Sequence, residues 1–271
     1  GSLTHSTPVS LYVTVSVPAA AVFSATNVLT KGTWKGVYGA EGVAITNDVT
    51  NYPAYAQVSM SGQTPATWAA STTDIRALQK GSPTETDRIA STWWSSTSFN
   101  INVNLVDGNW HRVGIYCLDW DYNGRVERVD VLDSNSSAVL DSRSLSSFAN
   151  GTYLVWNLKG GVSIRITLTG GGNVVASGIF FDPPASPDFS ISASPTSQTV
   201  ARGSNTTYNL TISPTLGFNG TVTFSATGLP TGASASFSPA SVVGSGSSTM
   251  TVTTGATTPA GNSMINIVGT S

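Results

Sequence analysis

The sequence predicts an all-β protein built of two β-sandwich domains in series, and three observations predict it. Apolar and hydroxyl residues alternate in short runs along most of the chain, the period-2 pattern of strands with one buried face. Turn signals punctuate the front runs at Asp107-Gly108, Asn123-Gly124, Asn150-Gly151 and Gly170–Asn173. The 271 residues exceed a usual single sandwich, and the two halves differ sharply in composition.

In chain order, the first element is Val9–Val17, which sets Val9, Leu11, Val13, Val15 and Val17 on one face and Ser10, Tyr12, Thr14 and Ser16 on the other. Pro18 ends it, because proline has no amide to give a ladder, and residues 18–23 read as a linker. Residues 24–182 hold all seven tryptophans. Strands are expected there at Phe99–Val106, His111–Trp120, Val126–Leu132, Tyr153–Leu158, Val162–Leu168 and Val174–Phe181. Their spacing suits a sandwich or jelly roll of roughly 160 residues. Ser82–Ala90 is the one place where a short helix or ordered loop is expected. Residues 183–188, with Pro183, Pro184 and Pro187, form a stiff linker. From 189 to 271 the alternation continues through Phe189/Ile191/Ala193, Tyr208/Leu210/Ile212, Val222/Phe224/Ala226, Ala235–Phe237, Met250/Val252 and Ile265/Ile267, six strands at most.

Composition narrows the function. Charged residues make up only 10% of the chain and the net charge is −2, so a nucleic acid or an anionic membrane finds no basic cluster to bind. No apolar stretch approaches the ~18 residues of a membrane span. The single cysteine, Cys117, lies in an apolar run and reads as a buried side chain, so no disulfide framework exists. Neither of the two histidines, His5 and His111, sits in a nucleophile or metal motif, and no enzyme is expected. This composition suits a secreted chain, at the cell surface or outside it.

Two segments resemble known families. The body from PDFSISASPTSQTVARGS to FSPASV, with a final hairpin read across the chain ends as MINIVGTS and GSLTHSTPVSLYVTV, resembles the Ser/Thr-rich immunoglobulin-like repeats of large secreted bacterial proteins. That likeness covers 184–271 plus 1–17. It implies an immunoglobulin-like domain at 189–271 that lacks its last strand, with residues 1–17 as a donor strand completing such a domain in a preceding repeat or a neighbouring subunit. A lone strand showing five aliphatic side chains to water forgoes ~1.5–3 kcal/mol for each one left unburied, and a sandwich short of a strand leaves an open edge. Closure within one chain must bridge ~30 Å between the poles of a ten-residue strand, which favours donation between neighbours, head to tail. A covalent array, in which the next repeat continues the backbone, has the same architecture. The second segment, carried by DGNWHRVGIYCLDWD and VVASGIFFD, is similar to the galactose-binding-type jelly rolls, a kind of carbohydrate-binding module, attached to bacterial hydrolases and surface proteins. It implies a non-catalytic jelly roll that binds carbohydrate.

Sugar recognition needs aromatic faces beside hydroxyl-binding polar groups. The candidate residues are Trp34, Tyr38, Trp68, Asp74, Arg76, Arg88, Trp93 and Trp94; Trp156 reads as core. Asp119, Asp121, Asn123, Glu127 and Asp130, with Gly124 sixth from Asp119, copy the spacing of a calcium loop. The simpler reading of the same stretch is a hairpin turn at Asn123-Gly124, with Asp119 and Asp121 paired to Arg125 or Arg128. Apart from calcium, no cofactor is expected. The expectation is therefore an extracellular structural protein, the repeat unit of a surface filament or adhesin assembled through β-strand complementation. Its partners are identical subunits and carbohydrate. The other reading is a non-catalytic carbohydrate-binding module with an immunoglobulin-like linker domain, from a secreted polysaccharide-degrading enzyme.

Overall fold

A computed structural model describes residues 17–271, and the assembly-strand residues Val9, Leu11, Val13 and Val15 lie outside them. The described chain is all-β, its strand pairings are antiparallel, and its arrangement is consistent with β-sandwich architecture. It divides into two compact units between Ala185 and Ser186.

The front unit contains β1 (Ala20–Asn27), β2 (Gly42–Ile45), β3 (Thr50–Asn51), β4 (Ala56–Ser61), β5 (Thr64–Thr72), β6 (Leu78–Gln79), β7 (Arg88–Ser95) and β8 (Ser98–Leu105). It continues with β9 (His111–Cys117), β10 (Val126–Asp133), β11 (Val139–Ser146), β12 (Thr152–Lys159), β13 (Gly161–Gly170), β14 (Val174–Ala176) and β15 (Gly178–Asp182). A six-stranded sheet runs β1-β12-β9-β15-β2-β3 and a five-stranded sheet runs β11-β10-β13-β8-β4. A smaller sheet, β14-β7-β5 with β6 on β7, completes the unit. Alternate residues of the six-stranded sheet, among them Val113, Ile115, Leu154, Trp156 and Phe181, share a core with Ile101, Val103, Val129 and Ile164 of the five-stranded sheet.

The intervening residues of the same strands, Tyr116, Tyr153, Val155 and Phe180, are buried as well, because Trp34, Tyr38, Leu78 and Ile89 pack over them in a second core. The connection from β1 to β2 thus lies across a sheet face that would otherwise meet water. At its far end Gly151, with φ of +83°, lets the backbone reach the Tyr116 hydroxyl, which a Cβ would meet at 1.7 Å.

Several expectations change. The first front strand begins at Ala20, inside the stretch read as a linker, and Val17 lies against Gly108 and Gly160 of the front unit. The run Val174–Phe181 divides at Ser177, where the chain leaves the small sheet for the six-stranded one. Of the short helix or ordered loop expected at Ser82–Ala90 the structure has a loop up to residue 87, and the remainder belongs to β7, whose Ile89–Trp93 is buried on both faces. Asn123-Gly124 is not a hairpin turn, since β9 and β10 lie in different sheets and the loop crosses between them.

The rear unit holds β16 (Asp188–Ser194), β17 (Asn205–Thr215), β18 (Thr221–Thr227), β19 (Ala233–Ser238), β20 (Ser241–Val243), β21 (Gly246–Thr254) and β22 (Asn266–Thr270). Its sheets run β16-β17-β21-β19 and β20-β18-β22, so a short strand, β20, joins the six expected. Leu210, Ile212, Val222, Phe224, Met250 and Val252 fill the space between them.

Candidate functional site: the open edge of the rear unit

The strand β22 follows a strict alternation, with Ile267 and Gly269 half-buried and Asn266, Val268 and Thr270 exposed. One side of it pairs with β18, from Thr223 opposite Thr270 to Thr227 opposite Asn266. Among the described residues no strand pairs with its other side. In the facing sheet β16 is also an edge, and its inward residues Phe189, Ile191 and Ala193 are only half-buried.

The two edges meet at one end and part at the other. At Gly269 an added Cβ would lie 2.5 Å from Ile191 and 3.0 Å from Phe189, so the sheets touch directly there. Toward Ile265 they diverge around a cleft of about 460 Å³ lined by Ala193, Pro195, Tyr208, Met250, Ile265 and Ile267. A neighbouring cleft of about 330 Å³ extends it past Tyr208 and Ile265 to Val200, Pro230 and Val252. Core residues of both sheets thus line an open groove beside a strand whose outer backbone groups pair with no strand among the described residues, a surface suited chemically to an extended segment that carries alternate aliphatic side chains.

The eight residues selected as sugar ligands do not form one site. Trp34 and Tyr38 are 6% and 4% exposed, with the Trp34 indole N–H donating to the Gln79 carbonyl at 2.7 Å and Tyr38 stacked on Tyr153 at 4.3 Å. Trp93 is buried in the main core, and Trp68 and Trp94 pack against it. Arg88 ties two loops together by donating to the Ala77 carbonyl and the Thr33 hydroxyl. Asp74 and Arg76 do meet, 2.8 Å apart, and the guanidinium lies over Trp120 and Tyr122. Arg76 holds the Asp74 carboxyl below the usual range, chiefly by hydrogen bonding to it. Tyr122, 68% exposed and with φ of +55°, is an aromatic that sequence pattern missed; its only local sign was the neighbouring glycine turn.

The calcium-like spacing closes around an arginine. Asp119 accepts the amides of Asn123, Gly124 and Arg125, and the Arg125 guanidinium joins Asp119 to Asp121. Glu127 points elsewhere, accepting the Val175 amide at 2.6 Å, and burial pushes its carboxyl up to about 8. Asp130 binds Ser142, Arg128 and Arg165. The cationic position is therefore filled by a side chain, and among the described residues no group of three acidic, histidine or cysteine residues is arranged to hold a metal. Cys117 is fully buried and desolvation raises its thiol well above the usual range, which makes it unreactive.

Comparison with known proteins adds no assignment, since no family model, curated protein or solved structure matches the chain.

Proposed function

We propose that the chain is an extracellular structural protein, the repeat unit of a surface filament or adhesin assembled head to tail by β-strand addition. On this reading the rear unit is an immunoglobulin-like sandwich short of the strand beside β22, and the front unit is a jelly roll carried along the fibre. The observation that supports it best is that one side of β22, above the cleft of about 460 Å³, pairs with no strand among the described residues. Val9, Leu11, Val13 and Val15 of a neighbour supply the complementary element, at ~1.5–3 kcal/mol for each aliphatic side chain that leaves water. Val17 marks where that donor must end, because it already lies against the front unit. Such a contact joins two different surfaces, so it runs head to tail and extends into an open fibre unless the rotation between subunits closes a ring.

Removal of residues 1–16 tests the reading. The shortened protein is expected to stay monomeric in sedimentation, with the melting temperature of its rear unit lowered and restored by an added peptide of residues 3–17. Filaments that persist without the segment overturn strand donation. The second role in this reading is adhesion of the front unit to glycans, supported by a cleft of about 490 Å³ lined by Trp34, Lys35, Val37, Tyr38 and Asp182. The same cleft also serves the alternative of a carbohydrate-binding module from a secreted polysaccharide-degrading enzyme. Electron micrographs distinguish the two, as only the first expects fibres.

A further inference from the structure

We infer that Asn219 is a site of spontaneous deamidation, selected by the fold from three asparagines that share the same reactive dipeptide. The inference is independent of strand donation and of glycan adhesion. The three pairs are Asn123-Gly124, Asn150-Gly151 and Asn219-Gly220. A glycine after asparagine favours the reaction, because it has no Cβ to hinder the approach of its nitrogen to the asparagine side chain. By local sequence the three rank equally.

The fold separates them. The Gly124 amide donates to the Asp119 carboxylate at 3.0 Å, the group that also accepts the amides of Asn123 and Arg125. The Gly151 amide donates to the Phe148 carbonyl at 2.9 Å, and Gly151 is buried against the Tyr116 ring. Each of these nitrogens must give up a hydrogen bond before it can attack, and the acceptor left behind loses its partner. Gly220 differs. It stands just before β18, its carbonyl accepts the Gly244 amide at 2.9 Å, and its own amide donates to no group among the described residues. Asn219 is exposed, so water and base reach it.

The chemistry needs only water. The Gly220 nitrogen, its proton taken by solvent base, bonds to Cγ of Asn219, the Cγ–Nδ2 bond breaks, and the side-chain nitrogen leaves as ammonia. Water then opens the cyclic imide at either carbonyl, giving aspartate or isoaspartate. Either product adds a negative charge to a unit whose charged side chains are those of Asp188 and Arg202 alone. Isoaspartate also lengthens the backbone at the entry to β18. That entry lies beside the end of the chain, since a Cβ on Gly220 would stand 2.7 Å from the Ser271 hydroxyl.

The experiment ages the full chain in mildly alkaline buffer, folded and in guanidinium chloride. Chymotryptic peptides are followed by mass spectrometry, and isoaspartyl methyltransferase labels the isoaspartate product. In guanidinium the three pairs are expected to react at similar rates, because only local sequence then governs them. In the folded protein Asn219 is expected to react about tenfold faster than Asn123 and Asn150, the factor supplied by a hydrogen bond kept on the glycine amide of each. N219Q, whose longer side chain disfavours ring closure, is expected to remove most of the acidic band that ageing adds in isoelectric focusing. Asn219 reacting no faster than the other two in the folded protein overturns the inference, as does an acidic band undiminished in N219Q.

Discussion

Arg125 illustrates how a polar side chain comes to be held inside a sandwich. It is 2% exposed, and its guanidinium reaches Asp119, Asp121 and Asn173. Removing one partner from a buried ion pair typically costs about 3–5 kcal/mol, because the other charge stays desolvated. Arg125→Met is expected to lower front-unit stability by about that amount in urea unfolding. Glu127 behaves differently, since burial lifts its carboxyl from 4.5 to about 8. Folded protein then keeps a proton that the unfolded chain loses near pH 4.5, so this group's contribution to stability declines as pH rises from there to about 8. Glu127→Gln is expected to remove that decline, making the variant the more stable protein at pH 8 relative to its behaviour at pH 5. Parallel urea curves at the two pH values measure it.

At the scale of the element, β22 concentrates two opposite constraints. Its Gly269 end is closed, and any side chain there must displace Ile191 and Val222, whose atoms lie 2.5 and 2.8 Å from an added Cβ. Gly269→Val is expected to destabilise the rear unit by about 1–3 kcal/mol through overpacking. Its Ile265 end opens into the groove, so Ile267→Ser is expected to weaken capture of a donor peptide with a smaller effect on the isolated fold. Isothermal titration with residues 3–17 reads that difference. In the rear unit most strands were legible from period 2 alone, as Tyr208/Leu210/Ile212 and Val222/Phe224/Ala226 show. β11 (Val139–Ser146) was not, because an edge strand with Asp141, Ser142, Arg143 and Ser144 in a row shows little apolar alternation. Nor was the division at Ser177, since a strand that changes sheets keeps its local pattern while its partners change.

For the whole molecule, separate cores in the two units predict separate unfolding events. Calorimetry is expected to show two transitions, with Gly269→Val moving one and Arg125→Met the other. A single transition shifted as a whole by either substitution would mean that the units unfold together. The division between Ala185 and Ser186 falls among the prolines at 183, 184 and 187, beyond which charge is scarce. Sequence therefore determined the all-β class and the inward face of the rear unit's main strands, both of which depend on neighbours two residues apart. The fate of the aromatic loop residues was decided only by tertiary structure. Trp34 and Tyr38 were chosen as exposed rings because turn-rich segments usually face water, but the connection that carries them lies over the six-stranded sheet, against Tyr153 and Phe180. Burial of that kind comes from contacts more than a hundred residues apart, which no local pattern encodes.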